Sequence, residues 1–112
     1  MTQFSVQSNA NGDVAIVAVF GRVDSETAPN LDAELIKVAN ESNKIVLDLK
    51  DVTFLSSAGL RVIVKALQTA QKSGGEVKLA CAPESVETIL RTVGMLEMLK
   101  IYPAVYDAVN SF

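Results

Sequence analysis

The sequence predicts an α/β fold in which a mixed β-sheet of four to five strands is covered by about four helices. An Asn11-Gly12 pair separates two apolar segments near the start of the chain, which is typical of an antiparallel hairpin. After the hairpin, segments of strand length alternate with amphipathic segments of helical length, and this alternation favours parallel strands joined by helices. The chain has 112 residues, of which 49% are hydrophobic, so we assign residues 1–112 to a single domain with one aliphatic core.

The first two strands are expected to differ in their burial. Phe4, Val6 and Ser8 alternate with polar residues, which is typical of a strand with one exposed face. Residues 14–20 are wholly apolar, so both faces of the second strand should be buried and this strand should lie near the centre of the sheet.

The first helix follows directly, and a third strand follows the helix. Ser25 or Thr27 can cap this helix, and Pro29 is tolerated in its first turn. A short strand is expected at residues 44–49, and residues 51–55 are interpreted as a connector with two apolar residues. Apolar residues at helical spacing define the inner face of the first helix: Ala28, Leu31, Leu35 and Val38.

A second helix and a fourth strand continue the alternation. The helix begins near residues 56–59 and ends at Ser73-Gly74-Gly75, where glycine favours a helix end. A strand is expected at residues 77–81, with Lys78 on a solvated face and Cys81 as a small buried hydrophobe. The second helix has a regular apolar stripe: Leu60, Ile63, Val64, Leu67 and Ala70.

A third helix, a short extended segment and a fourth helix complete the prediction. Pro83 opens the third helix and Gly94 ends it, residues 96–101 form the extended segment, and Pro103 opens the fourth helix. The inward-facing residues are Val86, Ile89, Leu90 and Val93 in the third helix and Val105, Ala108, Val109 and Phe112 in the fourth.

Composition argues against several classes of function. The net charge of −3 leaves no basic face for nucleic acid, and the apolar run at 14–20 is far shorter than the roughly 20 residues of a membrane helix, so we expect no nucleic acid and no membrane insertion. The chain has no His, no P-loop and no G-x-G-x-x-G, so we expect no catalytic relay, no metal and no cofactor. The lone Cys81 and the absence of a signal-peptide pattern favour the cytoplasm.

The segment before the second helix has features of a phosphorylation site. The simplest interpretation of Ser56 and Ser57 is that a hydroxyl caps the helix. Gly59 costs roughly 0.5–1 kcal/mol relative to Ala in a helix, which indicates that another backbone or a partner approaches closely. The helix N-terminus would favour a phosphate on a serine here, and Arg61 lies one turn beyond Ser57. Phosphorylation would then change the surface charge while the fold stays intact.

Three motifs, each made of two separate pieces of the chain, have the spacing of a known family signature. They are 47–49 (Leu-Asp-Leu) with 54–60 (Phe-Leu-Ser-Ser-Ala-Gly-Leu), 21–24 (Gly-Arg-Val-Asp) with Thr27-Ala28, and 99–102 (Leu-Lys-Ile-Tyr) with Ala108. In order and spacing, over almost the whole chain, they resemble the motifs of the STAS domain, in particular those of bacterial anti-sigma factor antagonists. Two residues depart from the family pattern, because Ser56 stands in place of the usual Asp and Ala58 in place of a Ser.

The resemblance implies a phosphorylation-controlled binding switch. The family's phosphorylated serine falls on Ser57, with Ser56 as the second choice. The unphosphorylated chain would bind an anti-sigma factor that is itself an ATP-dependent serine kinase, phosphorylation would separate the two, and a serine phosphatase would reset the switch. ATP and Mg²⁺ would belong to the kinase. The implied partner-binding residues are Asp24, Ser56, Ser57, Ala58, Gly59 and Arg61.

Two other functions stay open from the sequence alone. The missing Asp before Ser57 favours a non-phosphorylated STAS subunit of a larger assembly, such as a partner of a transporter ATPase or a stressosome-like scaffold. A small enzyme or nucleotide-binding protein is the third possibility, although the chain shows no glycine loop that could hold a phosphate. Asp24 is equally consistent with a carboxylate that only caps a turn.

Overall fold

A five-stranded mixed sheet forms the centre of the molecule, and its strands lie across the sheet in chain order. The computed structural model describes residues 4–112. The elements are β1 (Ser5–Asn11), β2 (Val14–Val23), α1 (Ala28–Ala39), β3 (Lys44–Leu55), α2 (Ser57–Lys72), β4 (Glu76–Ala80), α3 (Glu84–Thr92), β5 (Ile101–Tyr102) and α4 (Val105–Asn110). β1 pairs with β2 antiparallel, and the other three pairs of strands are parallel. The predicted fold class is therefore confirmed.

The hairpin between β1 and β2 forms at the predicted turn. Asn11 pairs with Val14, and between them Gly12 has a φ of 64°, which glycine adopts without strain. β2 then runs to Val23, three residues beyond the predicted end at Phe20, and has a strand on each side.

The two faces of the sheet carry cores of different size. Ile45 and Leu47 on β3 belong to the larger core, to which α1, α2 and α3 contribute their apolar faces. Val46, between them, points to the opposite face, because successive side chains of a strand alternate. There it packs in a smaller core with Ala80 and with Ala108 of α4. Three helices therefore cover one face of the sheet and a single short helix covers part of the other.

The prediction that residues 51–55 form a connector is wrong. β3 continues through this segment to Leu55 and stays paired with β2, with Arg22 opposite Phe54 and Val23 opposite Leu55. Two register shifts interrupt the pairing between β2 and β3. As a result the buried residues Leu49, Val52 and Leu55 fall three apart and not two apart, so the alternation that marks a strand in the sequence is lost.

The inner faces of the helices agree with the sequence in most positions. The predicted set on α1 is buried, and so are Leu60, Ile63, Leu67 and Ala70 on α2. Val93 is wrongly predicted: α3 ends at Thr92, and Val93 is 52% exposed at the C-cap. Likewise, Phe112 lies beyond the end of α4 and is exposed.

Two predictions on β4 also need correction. Lys78 is buried and not solvated. Its Nζ donates hydrogen bonds to Ser111 Oγ at 2.7 Å and to the Ser111 carbonyl at 2.9 Å. The same Nζ lies 4.3 Å from the ring centroid of Phe112. Cys81 lies just after the strand and is only half-buried, with a φ of 58° that is unusual for a residue other than glycine. The amino group of Lys78 thus ties β4 to the C-terminal end of α4.

Candidate functional site

The N-terminus of α2 follows β3 with a single residue between them, and that residue is Ser56. Ser56 has an extended backbone, and its Oγ accepts a hydrogen bond from the Gly59 N–H at 3.3 Å. Its backbone carbonyl accepts the next bond of the helix, from the Leu60 N–H at 2.9 Å. Ser56 is therefore the helix cap, and its hydroxyl is engaged in that role.

Ser57 is the first residue of α2 and is exposed. The first N–H groups of the helix and its dipole give this end a partial positive charge, which favours an anion. Arg61 is also exposed and lies four residues on, the spacing at which helical side chains are neighbours. A phosphoryl group on Ser57 would therefore find both a favourable helix end and a guanidinium within reach.

Gly59 is required by the packing of α2 on the sheet. A Cβ built at this position would lie 2.5 Å from Cγ1 of Val23 and 2.8 Å from Cδ1 of Leu55. A close approach therefore exists, but it is made by the side chains of Val23 and Leu55 at the ends of β2 and β3 and not by another backbone. Gly59 itself is buried, and its lack of a side chain sets the position of α2 on the sheet. Ala58 beside it is half-buried.

Asp24 organises the turn that leads from β2 into α1. Its Oδ1 accepts hydrogen bonds from the backbone N–H groups of Glu26 at 3.0 Å and Thr27 at 3.1 Å. The Thr27 N–H bond is the main reason why the pKa of the Asp24 carboxyl lies below its usual value, although burial partly opposes this. Its Oδ2 lies 3.6 Å from Nε of Arg22. The alternative interpretation of Asp24 as a turn carboxylate thus describes its contacts.

Thr27 occupies the predicted cap position of α1 but makes no capping bond with its side chain. Its hydroxyl donates to the Arg22 carbonyl at 2.8 Å and accepts from the Asp24 N–H at 2.9 Å. The Thr27 side chain therefore points back towards the end of β2, where it stabilises the turn and does not cap α1.

A backbone hydrogen bond joins the two segments that the sequence singles out. The Ser56 N–H donates to the Val23 carbonyl at 2.8 Å. Asp24 and Ser57, the next residue in each segment, therefore leave adjacent strands at the same end of the sheet. The structure thus brings the two motifs together at one edge, as parallel strands with a shared carboxyl end require.

Arg22 and Phe54 lie beside these residues in the chain, and the sequence analysis did not single them out. They are paired across β2 and β3, and Cζ of Arg22 lies 4.3 Å from the centroid of the Phe54 ring. Both lie within the motifs quoted above, but only the register of two strands brings them into contact. Had the sequence analysis extended β3 to Leu55, an aromatic and a basic residue near the ends of neighbouring parallel strands would have indicated this contact.

The described residues give no support for a membrane span or a metal site. Among residues 4–112, no helix has the length and apolar character needed to cross a membrane. Over the same range, no three His, Cys, Asp or Glu side chains are grouped so that they could hold a metal ion.

Comparison with known proteins defines the class. A family model of the STAS domain matches residues 5–108, and the chain belongs to the STAS family. The anti-sigma-B factor antagonist of Bacillus subtilis is 29% identical over 85 residues, which are 76% of this chain and 78% of the relative. The anti-sigma-F factor antagonist RsfB of Mycobacterium tuberculosis is 27% identical over 100 residues, which are 87% and 80% of the two chains.

A solved structure agrees with the fold. The crystal structure of an anti-sigma factor antagonist from Mycobacterium paratuberculosis matches with a TM-score of 0.88 at 24% identity, covering 97% of this chain and 93% of that one. At this level of identity the likeness establishes the shared fold. Together with the relatives named above, it makes this chain similar to anti-sigma factor antagonists both in sequence and in architecture.

Proposed function

We propose that the chain is an anti-sigma factor antagonist whose binding is controlled by phosphorylation of Ser57. The observation that supports this most is that the two adjacent serines have different environments. The Ser56 hydroxyl caps α2, while Ser57 is exposed on the first turn of that helix. Ser57 is accordingly the proposed site, and Ser56, the second choice from sequence, becomes the structural residue. The names of the relatives support the antagonist class.

In this proposal the chain is substrate and ligand, and it supplies no catalytic group. A serine kinase transfers the γ-phosphoryl group of ATP to Ser57 Oγ, so that the Oγ–P bond forms, the bond between the β- and γ-phosphates breaks, and ADP leaves. The hydroxyl proton passes to a base of the kinase, which also holds the ATP and Mg²⁺. Since the kinase would use cellular ATP, we place the reaction in the cytoplasm.

Phosphorylation would change the binding surface without a change of fold. The phosphoserine carries about −1.5 to −2 charges at pH 7 and sits at the end of α2 that favours an anion. Arg61 is one helical turn away and can pair with it. The partner would meet a bulky anion in place of a small hydroxyl, and the complex would separate. A serine phosphatase would restore the first state by transferring the phosphoryl group to water.

The partner surface in this proposal is the edge where β2 and β3 end. Ser57 and Arg61 are exposed there, Ala58 is half-buried, and the Asp24 turn lies beside them. Ser56 and Gly59 contribute by holding the start of α2 in place and not by direct contact.

A second function is favoured by one residue. Ser56 replaces the Asp that the family usually places before the phosphorylated serine, which removes a negative charge from the site. A STAS subunit that binds its assembly without being phosphorylated, as a partner of a transporter ATPase or as a stressosome-like scaffold, would not need that charge.

One experiment separates the two functions. The chain is incubated with its cognate anti-sigma factor kinase and ATP, and the phosphate is mapped by mass spectrometry in the wild type, Ser57→Ala and Ser56→Ala. Phosphate on Ser57, lost in Ser57→Ala and retained in Ser56→Ala, supports the switch. If a kinase that is active on another substrate leaves Ser57 unmodified, the switch proposal fails and the non-phosphorylated subunit is favoured.

A further inference from the structure

Arg22 and Phe54 form a stacked pair beside the candidate switch, and the switch itself gives neither residue a role. We propose that this pair, the Arg22–Phe54 patch, determines how tightly the unphosphorylated chain binds its partner kinase. The inference rests on the proposed function, because it names a second part of the same binding surface. In this proposal the Arg22–Phe54 patch sets the affinity for the kinase, and the phosphorylation state of Ser57 determines when binding occurs.

The patch lies on the face of the sheet opposite α2. Val23 and Leu55, the next residues along the two strands, are buried against the position of Gly59 in α2. Successive side chains of a strand point to opposite faces, so Arg22 and Phe54 point away from that helix. Both remain accessible: Phe54 is 38% exposed and the Arg22 side chain 49%.

The patch is held in shape before any partner binds. The strand register sets Arg22 opposite Phe54, and the guanidinium lies over the ring at 4.3 Å from its centroid. Asp24 pairs with the same guanidinium, with Oδ2 at 3.6 Å from Nε, and is itself held by two backbone N–H groups. A preorganised pair loses little side-chain entropy on binding, which increases the free energy available for association.

The residue types are those that dominate protein interfaces. Aromatic residues, Phe among them, and Arg are enriched in protein interfaces, and the few residues that dominate the binding free energy lie in well-packed central pockets and are enriched in Trp, Tyr and Arg. An exposed phenyl ring stacked under a guanidinium offers an apolar surface and a planar set of donors at one place. The complementary surface of the kinase would therefore have an apolar pocket for the ring and a carboxylate at its rim for the guanidinium.

The predicted carboxylate of the kinase would also increase the loss of affinity on phosphorylation of Ser57. Ser57 is three residues beyond Phe54, so their Cα atoms lie within roughly 11 Å of one another. A phosphate on Ser57 would repel a carboxylate that pairs with Arg22, although salt screens exposed charges beyond about 8 Å. This repulsion adds to the loss of contacts at Ser57 and should weaken as the salt concentration rises.

The test measures the Kd of the purified cognate kinase for Phe54→Ala, Arg22→Ala and the double variant by calorimetry. Two matched controls remove an exposed aromatic residue and an exposed cation elsewhere: Tyr106→Ala on α4, where the side chain is 76% exposed, and Lys37→Ala on α1. Each patch variant should bind about tenfold or more weakly, and the double variant should lose less than the sum because the two residues are in contact. The controls should stay within about twofold.

Phosphorylation kinetics provide the second measurement. The KM of the kinase for the chain should rise in the patch variants while kcat stays unchanged, because the patch does not touch the reacting hydroxyl. Phe54→Leu keeps an apolar side chain and controls for a loss of binding that is caused by misfolding. It should lose less affinity for the kinase than Phe54→Ala does. Patch variants that bind within twofold of a binding wild type would overturn this inference alone. A wild type that neither binds the kinase nor is phosphorylated would overturn the proposed function itself.

Discussion

Helices α1 and α2 both begin at the carboxyl end of a strand, but their first turns are completed in different ways. Before α1, the Asp24 carboxylate accepts two backbone N–H groups, and the Thr27 hydroxyl is turned back to the strand. At α2, the neutral Ser56 hydroxyl accepts one N–H, and the next residue is an exposed serine. The fold thus places a fixed carboxylate in the turn before α1, whereas the proposed switch would place a reversible anion on the first residue of α2.

In the proposed switch, the Asp24 turn would be the structural part of this edge and Ser57 the part that changes charge. The Asp24 turn is closed by its own carboxylate and carries a fixed charge, so it can hold Arg22 in place at all times. Neither helix has an acidic residue in its first turn, so in the proposed switch the charge at the start of α2 would depend on whether Ser57 is phosphorylated. Substitutions that exchange these properties should therefore separate stability from switching.

The largest effect is expected where α2 meets the strand ends. Gly59→Ala should lower the free energy of unfolding by about 1–3 kcal/mol, because the new methyl group overlaps Val23, whose branched side chain has little freedom to move. Urea denaturation measures this. Gln68→Ala, at an exposed position of the same helix, is the control and should change the free energy by less than about 0.5 kcal/mol. Equal stability of Gly59→Ala and the wild type would contradict the packing argument.

The two adjacent serines should respond differently to the same substitution. Ser56→Ala removes the capping hydroxyl and should cost about 0.5–2 kcal/mol of unfolding free energy. Ser57→Ala removes an exposed hydroxyl and should change the stability by less than about 0.5 kcal/mol. Thermal unfolding of both variants under one condition tests the contrast. A larger loss in Ser57→Ala would reverse the assignment of scaffold and switch.

The sequence predicted the fold well at most positions where the pattern of apolar residues was regular. The α1 face of Ala28, Leu31, Leu35 and Val38 has a helical period that nothing interrupts, so each member is buried as expected. The second half of β3 lacks such a period, because shifts in its pairing with β2 place Leu49, Val52 and Leu55 three residues apart. Pairing irregularities depend on the neighbouring strand and leave no local signature.

The same distinction applies to the candidate site. Ser57 and Asp24 could be selected from their motifs, since a helix start and a strand end are local features. The contact of Arg22 with Phe54 depends on strand register, and the burial of Lys78 depends on Ser111 and Phe112 far along the chain. A lysine on a strand is ordinarily solvated, and only the tertiary partners of Lys78 make its burial favourable.

A permanent negative charge at position 57 should reproduce part of the effect of the proposed phosphorylation. Ser57→Glu should raise the free energy of unfolding by about 0.3–1 kcal/mol at low ionic strength, because a carboxylate in the first turn interacts favourably with the helix dipole. The same variant should bind the kinase more weakly than Ser57→Ala does. The stability gain is measured by urea denaturation at two salt concentrations and should shrink as salt is added. A gain that is independent of salt would show that charge is not its cause.

The smallest expected effect is one whose pH dependence falls in the acid range, and it tests the fixed carboxylate in the turn before α1. The carboxyl of Asp24 has a pKa below its usual value, so it stabilises the fold fully above about pH 4, and this stabilisation is lost as the pH falls through the lower pKa of the folded state. Asp24→Asn lacks this charge. The difference in unfolding free energy between wild type and variant should therefore be largest near neutral pH and shrink towards pH 2.

The matched control is Asp13→Asn, which removes a carboxylate far from the switch. The pKa of Asp13 is also lowered, by its hydrogen bond to Lys44, and Asp13 is present in both the wild type and Asp24→Asn. A titration of Asp24 by nuclear magnetic resonance at or above the usual value would mean that the N–H groups of Thr27 and Glu26 do not hold the charged form. The contrast between the two helix starts would then rest on geometry alone.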